Sequence, residues 1–334
     1  MTPPSVGLIR SLYVRFRPVG PEVVATAPRD SVGSWPLWDR VGYYAAWAAG
    51  LALIAIAGAI VVYMAYRGAQ YFDLGLLFES PASSLNQATS GGFKDPILGT
   101  GLLLVMSTLI AAPLGVTIAV WLTEYGRPAG LARAVESAVE VVAGTPSIVL
   151  AMFGLVFFQQ QWLGFLTFDA EGGAVLGRSF IAAASMMSLI ALPLVVGATR
   201  EALNSIPGHV REASYALGKT KAATIRRVLL PAARPGIGTG TALGMGRVAG
   251  DTAIVVVLLG ATLQIQNGAD GGVFGLFRGT GSTLTSYVYY NSPAGEGLAP
   301  EKAYFAAFVL LAFVIVLNLA VSRLARRGGE GWTR

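Results

Sequence analysis

An all-α, polytopic membrane fold with six spanning helices is what this sequence predicts, and three observations carry that expectation. Hydrophobic residues make up 54% of the 334 and charged residues only 13%, against roughly 25% charged in soluble domains. Six apolar runs approach the ~20 residues that a helix needs to cross a bilayer. The basic residues collect at the ends of those runs rather than along one soluble face, so the formal net charge of +6 points to membrane flanks and away from nucleic acid.

In chain order the predicted spans are 41–66, 97–122, 138–158, 179–198, 236–263 and 303–321. Residues 1–40 form a Pro- and Arg-rich basic tail without an apparent signal peptide. Within it Leu8, Ile9, Leu12, Tyr13, Val14 and Phe16 alternate with basic residues, which suits either a membrane-surface helix or a disordered arm. Gly144, Pro146 and Ser147 interrupt the third span. Irregular backbone at that depth is tolerated only where it is buried in protein or lines a cavity. Gln159 to Gln161 and Trp162 mark that span's outer end, with Trp at the interfacial belt.

The fifth span carries Gly236, Gly240 and Gly244, then Gly246 and Gly250, as small-xxx-small ladders. They serve either tight static packing or an interface that moves. Between spans five and six, residues 266–300 form a Gly-, Ser- and Asn-rich outer loop suited to a receptor or a sister subunit. Residues 323–334 close the chain with a second basic tail.

Six spans place both termini on one side. If that side is cytoplasmic it holds 18 of the 24 Lys and Arg residues, the outer segments keep five (Arg67, Lys94, Arg178, Arg278 and Lys302), and Arg247 remains in the membrane. The positive-inside rule therefore predicts that both termini are cytoplasmic. With no cysteine and one histidine, the chain offers no disulfide framework and no Cys or His set for a metal. A membrane-embedded hydrolase needs a nucleophile with its base or a metal cluster, and the scattered carboxylates supply neither.

Arg247 stands in a stretch, 235–264, that is otherwise apolar and small. A lone guanidinium at bilayer depth costs ~2.5–3.5 kcal/mol even on the lenient insertion scale, so it is normally paired or faces a cavity. Asp251 follows four residues later, which on a continuous helix puts both on one face. Two readings stand: a salt bridge that only joins helices, or a way-station for an anion. For the second, the planar guanidinium offers bidentate donors to an oxyanion, and a neighbouring carboxylate keeps binding weak enough for release. Thr252 is added as a hydroxyl on the same route.

The cytoplasmic stretch 199–234 is long, charged and helix-forming. It reads as two short helices hinged at Gly218, with Pro207 and Gly208 opening the first and Pro231 closing the second. Ala222, Ile225 and Val228 recur every three residues, giving the second helix an apolar side that suits docking into a soluble partner or lying as an amphipathic hairpin on the membrane. Gly218-Lys219-Thr220 imitates the end of a P-loop, but Ala213 stands where its first Gly belongs and no strand precedes it, so no nucleotide site is expected here.

In this loop Glu212-Ala213-Ser214-Tyr215-Ala216-Leu217-Gly218, followed by Ile225 and Leu230-Pro231, resembles the EAA signature of ABC importer membrane subunits. The resemblance implies the type I importer (MetI-like) permease fold, and it implies that Glu212, Ala213 and Gly218 touch an ATPase subunit. Further stretches are similar to phosphate-specific (Pst) permeases, particularly the PstA-type subunit: Gly91-Gly92-Phe93 through Ile97-Leu98-Gly99-Thr100, Pro113-Leu114-Gly115, Leu122-Thr123-Glu124-Tyr125, Gly144-Thr145-Pro146-Ser147-Ile148-Val149, and Arg247-Val248-Ala249-Gly250-Asp251-Thr252-Ala253. Two departures stand out. The family's acidic residue after Gly250 is usually Glu, and its basic residue near the end of span four is missing here or displaced to Arg200. The stretch from Asp251 to Val255 also resembles the PstC-type sister.

The resemblance thus implies a non-catalytic permease subunit of an ATP-driven phosphate importer, with its permease core over 91–322. Arg247, Asp251 and Thr252 are the expected substrate pathway. Expected partners are a PstC-type sister permease, a PstB-type ATPase dimer, a periplasmic or lipid-anchored PstS-type phosphate-binding protein, and membrane lipid. No cofactor is expected on this chain, ATP and Mg being used by the ATPase partner. Sulfate or molybdate is the alternative cargo, because one Arg does not distinguish tetrahedral oxyanions.

Overall fold

The computed structural model describes residues 35–70, 73–81, 91–167, 176–260, 264–266, 272–292 and 300–327. The chain divides into two units, 1–60 and 61–334, and helix α1 (Leu37–Ala69) runs through the division. In the first unit α1 begins beside an edge-to-face aromatic group in which Tyr43 meets Trp35 at 5.9 Å and Trp47 at 6.4 Å between ring centroids. The basic tail before Trp35, read as either a membrane-surface helix or a disordered arm, lies outside the described residues.

The second unit holds the remaining helices: α2 (Gly75–Phe78), α3 (Lys94–Val120), α4 (Ala129–Gly144), α5 (Ser147–Phe158), α6 (Phe180–Asn204), α7 (Gly208–Ala216), α8 (Lys221–Thr224), α9 (Leu230–Ala249), α10 (Ala253–Leu259), α11 (Gly272–Arg278), α12 (Leu284–Asn291) and α13 (Pro300–Arg327). No strand occurs among the described residues, where Gln266 and Thr280 form an isolated antiparallel bridge.

Helix α6 is the central post. Ser179 caps its start by accepting from the Ala182 N–H at 3.0 Å. Phe180, Ala182, Ala183, Ala184 and Met187 are fully buried, because α3 and α9 both pack along this helix. Small residues allow that approach. A Cβ on Gly240 would come within 2.8 Å of the Ala198 Cβ, one on Gly115 within 2.7 Å of Val195, and one on Gly236 would collide with Ala202. The first glycine ladder is thus a packing seam between α6 and α9. The second is not, since Gly246 has only the Asn318 amide at 3.8 Å and Gly250 only its own preceding turn.

The remaining core is built from aromatic and aliphatic contacts. Phe93 sits between Tyr287 and Phe305 at centroid distances of 5.0 and 5.6 Å, tying α12 and α13 to the start of α3. The C-terminal end of α1 joins the same region: Gly68 lies against Phe305 and Phe308, and Arg67 stacks over Tyr304 at 5.4 Å.

Four predicted spans appear as single long helices, α1, α3, α6 and α13, each apolar enough to cross a membrane. The other two are corrected. The third expected span, 138–158, is two helices at 106° to one another, α4 and the 12-residue α5, broken at Thr145–Pro146. Pro146 lacks the N–H to continue the ladder, and the residue before it is held extended, at φ −76° and ψ 129°. The fifth, 236–263, bends by 64° between Ala249 and Ala253. It also begins earlier, because a wide π-helical turn over Ile225–Leu229 joins α8 to α9. Pro231 therefore does not close a helix as expected. It sits in the first turn of α9, where the wider turn relieves the clash of its ring with the preceding carbonyls.

The outer segment read as loop contains α11 and α12 within 272–292. Thr283 and Ser286 cap α12 reciprocally, the Ser286 N–H reaching the Thr283 hydroxyl at 3.2 Å and the Thr283 N–H reaching the Ser286 hydroxyl at 2.9 Å. The expected tail from 323 begins as helix, with α13 running on to Arg327.

Candidate functional site

The bend in the fifth span follows from its glycines and from Asp251. Gly244, Gly246 and Gly250 weaken the end of α9, and the Gly250 N–H closes the last turn on the Gly246 carbonyl at 3.3 Å. Asp251, 4% exposed, then accepts the Ile254 N–H on its Oδ1 at 3.0 Å and so starts α10. The Ala249 carbonyl freed by the bend accepts the Thr285 hydroxyl at 2.9 Å, which satisfies it internally as an apolar setting requires.

This geometry corrects the expected pairing of Arg247 with Asp251. The helix ends between them, so four residues of separation no longer mean a shared face. Asp251 turns inward, while Arg247 is exposed on the surface of the last turn of α9 and Thr252 is half-buried at the corner. Among the described residues no ion pair joins the two. Chemically, an exposed guanidinium precedes a break in an apolar helix, and no carboxylate among the described residues is paired with it.

The second region is the loop after α6. Helix α7 opens at Pro207 and ends in a left-handed Gly218 at φ +75°, a conformation costing ~1–2 kcal/mol with any Cβ-bearing residue. Thr220 then caps α8 by accepting from the Ala223 N–H at 3.3 Å. The hinge at Gly218 is therefore real, and the P-loop-like Gly218-Lys219-Thr220 lies between two helices. Glu212, Ala213, Tyr215, Ala216, Leu217 and Gly218 are all exposed, Leu217 by 79%.

The apolar stripe expected to face a partner is instead used at home. Ile225, Val228 and Leu229 are buried, and Ile225 and Leu229 pack with Leu203 and Ala233, whereas Ala222 is exposed. The outward apolar surface of this loop belongs to α7 and Gly218.

Sequence reasoning assigned no role to Glu124 and Arg211. The Arg211 guanidinium pairs with the Glu124 carboxylate at 3.0 Å and donates to the carbonyls of Ile206 at 2.8 Å and Leu203 at 2.9 Å. Their separation of 87 positions leaves no periodicity to read. The one available signal was an acidic residue directly after an apolar span. Arg200 is also engaged, with Glu136 of α4 at 2.7 Å, so it serves a contact between α6 and α4. No group of three or more His, Cys, Asp or Glu suited to a metal occurs among the described residues.

Over residues 111–328 the chain matches the family described as binding-protein-dependent transport system inner membrane component. Phosphate transport system permease protein PstA 1 of Mycobacterium tuberculosis is 35% identical over 240 residues, covering 72% of this chain and 72% of that protein. Phosphate transport system permease protein PstC 2 of the same species is 31% identical over 252 residues, covering 72% and 75%. Among solved structures, a bacterial ABC transporter involved in import of the acidic polysaccharide alginate aligns with a TM-score of 0.59 at 17% identity, over 89% of this chain and 99% of that one. That last likeness speaks to the fold.

Proposed function

From the premise that the chain belongs to the binding-protein-dependent transport system inner membrane component family, and so is a multi-pass permease subunit of an ABC importer, we propose that its cargo is inorganic phosphate. The observation that carries this reading is Arg247, an exposed guanidinium at the bend of the fifth span with no carboxylate paired to it among the described residues. A bidentate cation suits a tetrahedral oxyanion, and the PstA 1 similarity supports phosphate among such anions.

In this reading the chain forms half of a pore with a PstC-type sister, and Arg247 and Thr252 face the shared route. Asp251 contributes by fixing the bend that presents them. Exposure of Arg247 on the single chain fits a residue whose environment is completed by the other half. A periplasmic or lipid-anchored receptor delivers the anion. Glu212, Ala213 and Gly218, on and after α7, dock against an ATPase dimer that binds ATP and Mg and performs the hydrolysis. The basic segments then lie in the cytoplasm, with both termini on that side.

The test is uptake of radiolabelled phosphate by vesicles holding this chain with its sister, ATPase and receptor, in the presence of unlabelled phosphate, sulfate or molybdate. Competition by phosphate alone is expected. Absence of labelled phosphate uptake, with uptake of labelled sulfate or molybdate by the same vesicles, would overturn the cargo assignment while leaving the permease role in place.

A further inference from the structure

The Arg211 guanidinium binds three things at once. Its Nε and Nη2 reach the Glu124 carboxylate, both at 3.0 Å, its Nη1 reaches the Ile206 carbonyl at 2.8 Å, and its Nη2 reaches the Leu203 carbonyl at 2.9 Å. Leu203 and Ile206 lie in and just after the last turn of α6, where the terminal carbonyls and the helix dipole favour a cation. Glu124 lies in the π-helical turn Trp121–Tyr125 that ends α3, and its side chain is only 6% exposed. Lys221, at the start of α8, donates to the Glu124 backbone carbonyl and stands over the Tyr125 ring at 4.6 Å. Ser214 of α7 and Thr224 of α8 share a hydrogen bond of 2.8 Å.

Helix α7 is tied to α6 and α9 by the chain itself. To the end of α3 it is tied directly by the Glu124–Arg211 pair, while Lys221 ties the following helix, α8, to the same turn. Such a pair is rigid for a physical reason: withdrawing either partner strands a charge in a poorly solvated place, so the two ends move together rather than separate. The end of α3 is a wide turn followed by Gly126 at φ +38°, a junction able to change its winding without breaking the body of the helix.

We infer that Glu124 and Arg211 are positioning residues that carry displacement of α7 into α3, giving the docking helix a second mechanical route into the membrane bundle beside its covalent links. This rests on the reading of α7 as the ATPase-docking helix. The pair acts as a strut: it touches neither cargo nor nucleotide, and its function is to make α3 follow α7.

The experiment uses the assembled transporter and exploits the absence of cysteine from the chain. Spin labels on Arg127→Cys and His209→Cys, exposed positions just past the end of α3 and in the first turn of α7, report one inter-label distance with and without a non-hydrolysable ATP analogue. In the otherwise native protein the distance distribution is expected to stay narrow in both states. With Glu124→Gln, or with Glu124→Gln and Arg211→Gln together, it is expected to broaden, and phosphate moved per ATP hydrolysed to fall about tenfold, within the usual range of coupling between sites. The double variant leaves no stranded charge, so it separates transmission from folding. Normal coupling and a narrow distribution in that double variant would overturn the inference, as would failure of both variants to assemble with the ATPase, since the pair would then be a folding device. A labelled native protein that moves on nucleotide binding but transports another anion sinks the cargo reading and leaves the strut standing.

Discussion

Arg247 and Asp251 are four positions apart and point into different surroundings: α9 ends at Ala249, Asp251 turns inward to accept the Ile254 N–H, and Arg247 stays on the exposed side of the last turn. The two residues therefore divide the labour that a salt bridge would have fused. One shapes the backbone and the other presents charge.

Separate substitutions should reveal that division. Arg247→Gln is expected to lower phosphate uptake by about tenfold or more, the worth of a lost charge-assisted hydrogen bond, with assembly intact by co-purification. Arg247→Lys keeps the charge without the planar fork and should fall between. Full uptake by Arg247→Gln would remove the residue from the route.

Asp251 should behave as a cap. Asp251→Asn retains an oxygen acceptor for the Ile254 N–H and is expected to keep most of its thermal stability, whereas Asp251→Ala should lose about 0.5–2 kcal/mol, as capping losses do. Equal melting of the two variants in detergent would contradict this role.

The docking surface makes a third expectation. Gly218→Ala places a Cβ at φ +75° and strains the turn by ~1–2 kcal/mol, while Leu217→Asp charges a side chain that is 79% exposed. Leu217→Asp should reduce recovery of the ATPase on purification. Glu212→Gln and Gly218→Ala should let hydrolysis run without transport. An ATPase that still answers the receptor normally in these variants would count against α7.

Glycine positions offer a contrast inside one helix. Gly240→Val would drive side-chain atoms into Ala198 and the α6 backbone, and overpacking of this kind costs about 1–3 kcal/mol. Gly246→Ala meets nothing closer than the Asn318 amide at 3.8 Å and should be neutral or gain up to ~1 kcal/mol in helix propensity. Thermal midpoints of the two variants measure the difference, and a destabilised Gly246→Ala would show that the second ladder packs after all.

Tyr287 gives a pH expectation. Burial pushes its phenol up to about 12, and its hydroxyl has no hydrogen-bond partner among the described residues. Because the unfolded phenol loses its proton near pH 10 and the folded one near 12, stability is fully present below pH 10 and declines by about 2–3 kcal/mol between those values. Tyr287→Phe should flatten that decline. An unchanged alkaline limb in Tyr287→Phe would assign the loss to another group.

The sequence made the long elements plain and the corners obscure, for a physical reason. Spans such as α6 and α13 announce themselves by unbroken apolar length, and α7 by Pro207 before it and Gly218 after it. Bends are written in single residues. Gly250-Asp251-Thr252 reads, once the fold is known, as a helix stop followed by a side-chain cap, but period counting across it returns one continuous span. Ile225 and Val228 showed a true apolar stripe, yet periodicity does not say whether a stripe faces a partner or its own core. The Glu124–Arg211 contact depends on two distant segments meeting, which no local pattern encodes.

Helix α5 carries a consequence for the chain's life in lipid. Its 12 residues reach only about 18 Å at ~1.5 Å per residue, well short of a hydrocarbon layer ~30 Å thick, and the turn at its head leaves Pro146 bare on the isolated chain. Acyl tails cannot solvate such a turn. Wherever that turn sits at hydrocarbon depth, it must face water or a neighbouring protein surface and not lipid.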